Sequence, residues 1–200
     1  MSRICHVLLA AGKSKRMGTP KQLLPWGAKT LIEFQIERIL PTTEQLFIIT
    51  GAFADQIEPL LKGYSLEVLR CEDWENGMGD SLGFGIRTVL KMDASLDGVL
   101  ISLIDQPLVT SEHYYNMRAL FQKGQKQIIA SESDFGWSGA PVLFDAHYFG
   151  ALQKLNGEEG AKKIIKKNPQ QIIYLNGGSS LVDMDTPEVY RELLKEFNPQ

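Results

Sequence analysis

Seven apolar runs of strand length punctuate the chain, at residues 4–10, 46–50, 66–69, 99–104, 128–130, 141–144 and 172–175. Several are nearly continuous in Val, Ile and Leu, as in parallel strands covered on both faces. Helical patterns fill most of the gaps between them. Thr30-Leu31-Ile32-Glu33 has the form of a capping box, and Ile32, Ile36, Ile39 and Leu40 follow it at helical spacing. Leu82, Ile86, Val89 and Leu90 repeat that spacing, as do His113, Met117, Leu120 and Phe121. Asp145 opens a further helix carrying Tyr148, Phe149 and Leu152, and Asp185-Thr186-Pro187-Glu188 opens the last, with Asp185 as its cap. Alternating elements of this kind predict an α/β fold: three layers, α/β/α, on a mostly parallel sheet with right-handed crossovers. The chain has no Pro-, Gly- or Ser-rich linker and no repeat, so residues 1–200 are read as one domain.

Charge is distributed unevenly. The 21 Lys and Arg against 24 Asp and Glu leave a formal net charge of -3, yet Lys13, Lys15, Arg16, Lys21 and Lys29 fall in one stretch that contains no acid. An acidic chain lacks the broad basic face used for nucleic acid or membrane surfaces. The local cluster is therefore expected to serve a small anion. Cys5 and Cys71 lie far apart without metal-like spacing, which predicts reduced thiols and a cytoplasmic location. His6, His113 and His147 are isolated, arguing against a zinc site. The longest apolar run, residues 4–11, is too short to span a bilayer.

In open parallel sheets ligands bind beyond the carboxyl ends of the strands, near a topological switch point. Residues 11–21, 74–81, 105–107 and 136–141 are thus the places to look, with Asp183 and Asp185 after the last strand. Ala10-Ala11-Gly12 leaves backbone amides bare enough for a phosphate to approach. Arg16 adds a planar cationic fork, and Lys21 a point charge beyond a Gly-Thr-Pro turn. A Walker loop is excluded because Gly18 is followed by Thr19-Pro20-Lys21, and Gly83-Phe84-Gly85 lacks the third glycine of a dinucleotide fingerprint. Asp105 follows a continuous apolar run and should emerge at the sheet's carboxyl rim. A carboxylate beside phosphates calls for an intervening cation, and Mg2+ suits one or two carboxylates plus phosphate oxygens. Asp183 is the freer of the last two acids and the expected second ligand. Trp74 to Gly79 reads as a turn with two glycines and exposed amides that ends where a helix starts, with a cap made by Asp80 or Ser81 as the alternative. His147, Trp137 and Tyr148 are assigned to packing or to an acceptor pocket.

"LLAAGKSKRMGTPKQLLPWG" resembles the opening signature of the MobA-like nucleotidyltransferases. "WENGMGDSLGFGI", "LIDQPLVT", "GAPVLF", "LNGEEGAKKII" and "VDMDTPEVY" extend the likeness nearly end to end, toward the molybdenum cofactor cytidylyltransferase branch. The resemblance implies a Rossmann-like fold of the nucleotide-diphospho-sugar-transferase type, with residues 1–110 binding nucleotide and 111–200 binding acceptor. It implies transfer of CMP from CTP to the terminal phosphate of molybdenum-molybdopterin, with pyrophosphate released and molybdopterin cytosine dinucleotide formed. By matching positions, Leu9, Ala10, Ala11, Gly12, Lys13, Ser14, Arg16 and Lys21 would hold the triphosphate. The stretch Gly77-Met78-Gly79-Asp80-Ser81 would border the base, and Asp105 would hold Mg2+, with Asp183 the second ligand chosen above for its freer carboxylate. Arg16, Lys21 and Asp105 would carry the catalysis. Transient contact with a molybdenum hydroxylase is a further implication, and neither nucleic acid nor membrane is an expected partner. Guanylyl transfer, cytidylyl transfer to a polyol or sugar phosphate, and a non-catalytic chaperone of a molybdenum hydroxylase are the alternatives.

Overall fold

The computed structural model describes residues 2–134 and 136–197. Its strands are β1 (Ile4–Leu9), β2 (Pro25–Trp26), β3 (Lys29–Thr30), β4 (Leu46–Thr50), β5 (Glu67–Arg70), β6 (Gly98–Leu103), β7 (Ile128–Ser133), β8 (Ser138–Asp145) and β9 (Ile172–Gly178). Seven of them form one sheet in the order β5-β4-β1-β6-β8-β7-β9, while β2 and β3 make a two-stranded ribbon beside it. Every neighbour pair in the large sheet is parallel except those made by β8, which runs antiparallel to both β6 and β7. The mostly parallel three-layer α/β expectation is met. The reversed strand is the feature that apolar continuity could not announce, since a strand buried on both faces reads the same in either direction.

The helices are α1 (Leu31–Ile39), α2 (Ala54–Ile57), α3 (Met78–Met92), α4 (Ser111–Leu120), α5 (Phe149–Leu152), α6 (Lys162–Lys167) and α7 (Pro187–Phe197). Successive strand residues face opposite ways. In β1, Ile4 and Leu8 therefore join the core under α1, α4 and α7, while Cys5, Val7 and Leu9 join the core under α3 and α6. The capping box of α1 forms as expected, with the Glu33 carboxylate accepting from the Thr30 amide. Asp145 accepts from the His147 amide and opens the turn that leads into α5. Two end signals resolve differently. Leu120 closes α4 on its exposed side, 39% accessible, whereas Phe121 beyond the helix is buried. Thr186, not Asp185, accepts from the amide of Val189 in the first turn of α7.

Both cysteines are free and buried, and burial pushes the Cys5 thiol up to about 12. A thiol so hard to ionise is no nucleophile at neutral pH. Among the described residues no helix is long and apolar enough to cross a membrane.

Candidate functional site

Leu9, the last residue of β1, pairs in register with Leu103, the last of β6, and the Ile104 amide continues the ladder to the Leu9 carbonyl at 3.2 Å. From this point β1 leads leftward in the sheet to β4, and β6 leads rightward to β8 and β7. Chains diverging in opposite directions open a crevice at the carboxyl rim. A cleft of about 530 Å³ occupies it, lined by Ala11, Gly12 and Ser14 on one side and by Trp74, Ser81 and Asp105 on the other. A second cavity of about 700 Å³ adjoins it along β6 and β8. Leu9, Met78, Leu103 and Glu158 line both.

The first wall is a loop whose amides are largely unspent. Among the described residues, none from Ala11 to Arg16 donates its backbone hydrogen to a carbonyl. The loop folds back through Ser14, which sits at φ 53° and accepts twice, from the Met17 amide at its carbonyl and from the Lys21 amide at its hydroxyl, 3.1 Å away. Ala10 differs from expectation. Its amide is committed to the Ile49 carbonyl at 2.9 Å and the residue is buried, so it supports the loop and offers no hydrogen to a phosphate. Lys13 and Trp74 both line the cleft, with the ammonium 5.8 Å from the ring centroid.

Charge is gathered where the loop meets β6. The Lys21 ammonium is 2.6 Å from Asp185 and 3.2 Å from Asp105, and Arg16 donates to the other oxygen of Asp185 at 2.7 Å. The chain Arg16–Asp185–Lys21–Asp105 is thus continuous, although its members come from three distant parts of the sequence. Burial pushes the Asp185 carboxyl up, but Lys21 and Arg16 outweigh it and hold the group below its ordinary value. Asp183 goes the other way: crowding by protein atoms raises it, and so do Asp105 and Asp185, even though its side chain reaches solvent. It accepts from Gln106 Nε2 at 3.0 Å. The Met184 amide, between the two acids, donates to the Asp105 carbonyl at 2.7 Å and fixes the segment against β6.

The glycine turn before α3 has a different role from the one its sequence suggests. The Gly77 amide donates to Trp74 and the Gly79 amide to Gly157 at 2.8 Å, so neither is free to read a base. A Cβ at Gly79 would stand 2.6 Å from the Asn156 carbonyl, and one at Gly77 2.4 Å from that of Gly157. These glycines let residues 155–160 lie directly on α3. Neither Asp80 nor Ser81 caps the helix. Asp80 instead accepts from the Gly157 amide at 2.5 Å, and the Ser81 hydroxyl points back to the Gly77 carbonyl. Met78 and Ser81 still face the cleft. Trp137 lines the second cavity, Tyr148 is buried with its hydroxyl on the Lys126 carbonyl, and His147 packs on the Tyr148 ring.

Among the described residues no cluster of three His, Cys, Asp or Glu could hold a metal alone. The donor set is instead that of a shared ion. Asp105 Oδ1 is buried without a hydrogen-bond partner, and Asp183 uses one oxygen on Gln106. Hard oxygen donors completed by phosphates and water are what Mg2+ requires, so the residues present fit it.

Residues 6–172 match the MobA-like NTP transferase domain. The chain belongs to that family. Among curated relatives, the purine catabolism protein PucB of Bacillus subtilis (strain 168) is 32% identical, covering 92% of each chain. The nicotine blue oxidoreductase of Paenarthrobacter nicotinovorans is 28% identical, covering 96% of each. The molybdenum cofactor cytidylyltransferase of Escherichia coli (strain K12) is 22% identical over 94% of each. A probable molybdenum cofactor guanylyltransferase of Carboxydothermus hydrogenoformans is 28% identical over 99% of this chain and 98% of its own. Of solved structures, Rv0371c from Mycobacterium tuberculosis H37Rv superposes with a TM-score of 0.83 at 28% identity, covering 97% of this chain and 98% of that one. Its manganese complex gives 0.79 at 25%, with the same coverage.

Three roles in this MobA-like site escape a linear reading. Gln22 is buried inside the loop it follows, Glu158 stands where the two cavities meet, and Asp185 serves the loop's cations rather than its own helix. The sequence marks Asp185 as a site candidate and as the cap of the last helix, and the structure gives the capping contact to Thr186 instead.

Proposed function

We propose that this MobA-like protein transfers CMP from CTP to the terminal phosphate of a molybdopterin-type acceptor and releases pyrophosphate. One observation carries the reading: Arg16, Lys21 and Asp105 converge through Asp185 at the rim of β1 and β6, beside a loop of unspent amides. The names of two relatives, one cytidylyl and one guanylyl transferase of the molybdenum cofactor, support the acceptor class and divide over the base. Ala11 lines the cleft and is buried, and its methyl narrows the approach for a purine more than for a pyrimidine. That favours CTP.

In this reading the amides of the loop and the Arg16 guanidinium take the β- and γ-phosphates. An acceptor phosphate oxygen attacks the α-phosphorus in line, a P–O bond forms, and the bond to pyrophosphate breaks with its electron pair leaving on the pyrophosphate. Little covalent work falls to the protein, so positioning and charge stabilisation carry the rate. Lys21 offsets charge growing on the leaving group. Asp105 and Asp183 would hold Mg2+, which when bound supplies Lewis-acid stabilisation of phosphate oxygens. The second cavity, opening beside the α-phosphate position along β6 and β8, would take the acceptor.

The test is pyrophosphate release by the purified protein with Mg2+ and molybdenum-molybdopterin, with CTP, GTP, UTP and ATP in competition. A clear preference for CTP is expected. Preference for GTP would make the enzyme a guanylyltransferase. Turnover with polyol or sugar phosphates but not molybdopterin would replace the acceptor. Binding of CTP and acceptor with no pyrophosphate released would favour a chaperone that hands cofactor to a molybdenum hydroxylase.

A further inference from the structure

We infer that Gln22 is the positioning residue of the phosphate loop: it turns the amides of Ala11 and Lys13 toward the cleft by holding the carbonyls of Ala10 and Gly12. The inference rests on the nucleotide reading of that cleft and adds to it the device that aims its donors.

Gln22 is 1% exposed, and its Nε2 donates to the Ala10 carbonyl at 2.7 Å and to the Gly12 carbonyl at 3.1 Å. Both donor hydrogens of the amide group are therefore used within the loop. A trans peptide unit is planar, and its C=O and the following N–H point in opposite directions. Drawing the carbonyls of residues 10 and 12 inward sends the amides of residues 11 and 13 outward. Ala11 and Lys13 line the cleft, and among the described residues neither amide has a carbonyl partner.

The side chain's orientation follows from the same contacts. Turning the amide over would set Gln22 Oε1 against two carbonyl oxygens, so the donor face must stay toward the loop. Oε1 is then left buried with no partner. A buried acceptor without a hydrogen is unfavourable to stability, so the contacts to the Ala10 and Gly12 carbonyls are kept in spite of that cost. The amide is thus better explained by what it does to the loop than by what it adds to the core. Lys21, its neighbour in the same short turn, completes the arrangement by donating its own amide to the Ser14 hydroxyl.

The experiment compares Gln22→Leu and Gln22→Met with the wild-type chain, using inorganic tripolyphosphate as the probe in calorimetry and CTP in steady-state kinetics. Both variants are expected to bind tripolyphosphate at least ~10-fold more weakly, with KM for CTP raised in proportion and kcat changed far less. Their unfolding midpoints are expected to fall modestly, because the buried Ala10 carbonyl loses its donor, so the rise in KM with little change in kcat is the readout that a merely structural glutamine would not give. In the wild-type chain, the amide resonances of Ala11 and Lys13 should shift on titration with tripolyphosphate. Undiminished tripolyphosphate affinity in the variants, or unmoved resonances in a wild-type protein that binds the probe, would overturn the role of Gln22 while leaving the nucleotide cleft intact. A folded wild-type protein that ignores both tripolyphosphate and CTP would instead overturn the cleft's reading, and the role of Gln22 with it.

Discussion

Lys21 and Asp185, 164 positions apart in the chain, form a 2.6 Å ion pair at the rim of the sheet. The lysine side chain is 9% exposed and the carboxylate 29%. Asp105 on the other side of the ammonium and Arg16 on the far side of Asp185 extend the pair into a string of alternating charge. In such a string each cation has a carboxylate partner. The cations are thereby held in place and paired.

Removal of Lys21 tests the string at its centre. Lys21→Ala should lower turnover by about 10²–10³, the cost of one preorganised donor of charge stabilisation. Asp105, Asp183 and Asp185 would then face one another without an ammonium, so a modest fall in stability is expected as well. Near wild-type pyrophosphate release by the purified, folded variant would take Lys21 out of the chemistry.

Asp185→Asn should act in the opposite direction on binding. Arg16 loses its carboxylate partner, and a negative charge leaves the path of the incoming phosphates. Tripolyphosphate affinity measured by calorimetry is expected to rise several-fold, and more at low salt than at high. Weaker binding would show that Asp185 orders the cations more than it competes for them.

Asp105→Asn addresses the ion. The variant keeps the shape of the side chain and its contact distance to Lys21, but its oxygen no longer carries charge toward a cation. Mn2+ binding in the presence of CTP, followed by electron paramagnetic resonance, should weaken markedly, and turnover with Mg2+ should fall by about 10²–10³. Unchanged Mn2+ affinity would place the metal elsewhere.

Gly79→Ala probes the contact between α3 and residues 155–160. The added methyl would meet two backbone carbonyls, those of Asn156 at 2.6 Å and Glu159 at 2.7 Å, and neither can swing aside. Overpacking of this sort costs about 1–3 kcal/mol. Chemical denaturation should show that loss, and nucleotide affinity should fall too because Met78 and Glu158 line the cleft. An unaltered midpoint would mean that the contact gives way freely.

His6 sets a pH dependence of stability. It is fully buried, its Nε2 is 2.8 Å from the Ser102 hydroxyl, the Tyr114 ring packs edge-on against it, and burial followed by the Arg118 charge holds its pKa well below the ordinary value. The unfolded chain takes up a proton near pH 6.5 and the folded chain does not, so stability is complete above that pH and falls as the pH drops below it. His113, lowered by burial alone and 2.8 Å from Ser131, adds to the same slope. Each histidine contributes at most about 1.4 kcal/mol per pH unit. Denaturation midpoints between pH 7 and pH 5 should fall steadily in the wild-type chain and less steeply in His6→Gln. Equal slopes would show that His6 is protonated in the folded state.

Local chemistry made much of this molecule legible. Continuous Val, Ile and Leu in residues 4–10 and 99–104 marks strands buried on both faces, because a strand with one wet face must alternate. Placing Asp105 at the carboxyl rim follows from the end of such a run, and the cation-rich loop after residue 9 follows from its own composition. The strand direction of β8, the partner of Lys21 and the purpose of Gly77 and Gly79 were not available from those patterns. Periodicity reports which face of an element is covered, but not what covers it. The chain suggests Asp185 as a helix cap and Asp183 as the freer acid, and only folding set Asp183 on Gln106 and Asp185 between Lys21 and Arg16. Sequence alone thus determined the layers and the edge where a ligand must sit. Tertiary structure decided which charges meet there, because Coulomb and hydrogen-bond partners are chosen by distance in space, and residues 16, 21, 105 and 185 become neighbours only when the sheet has formed.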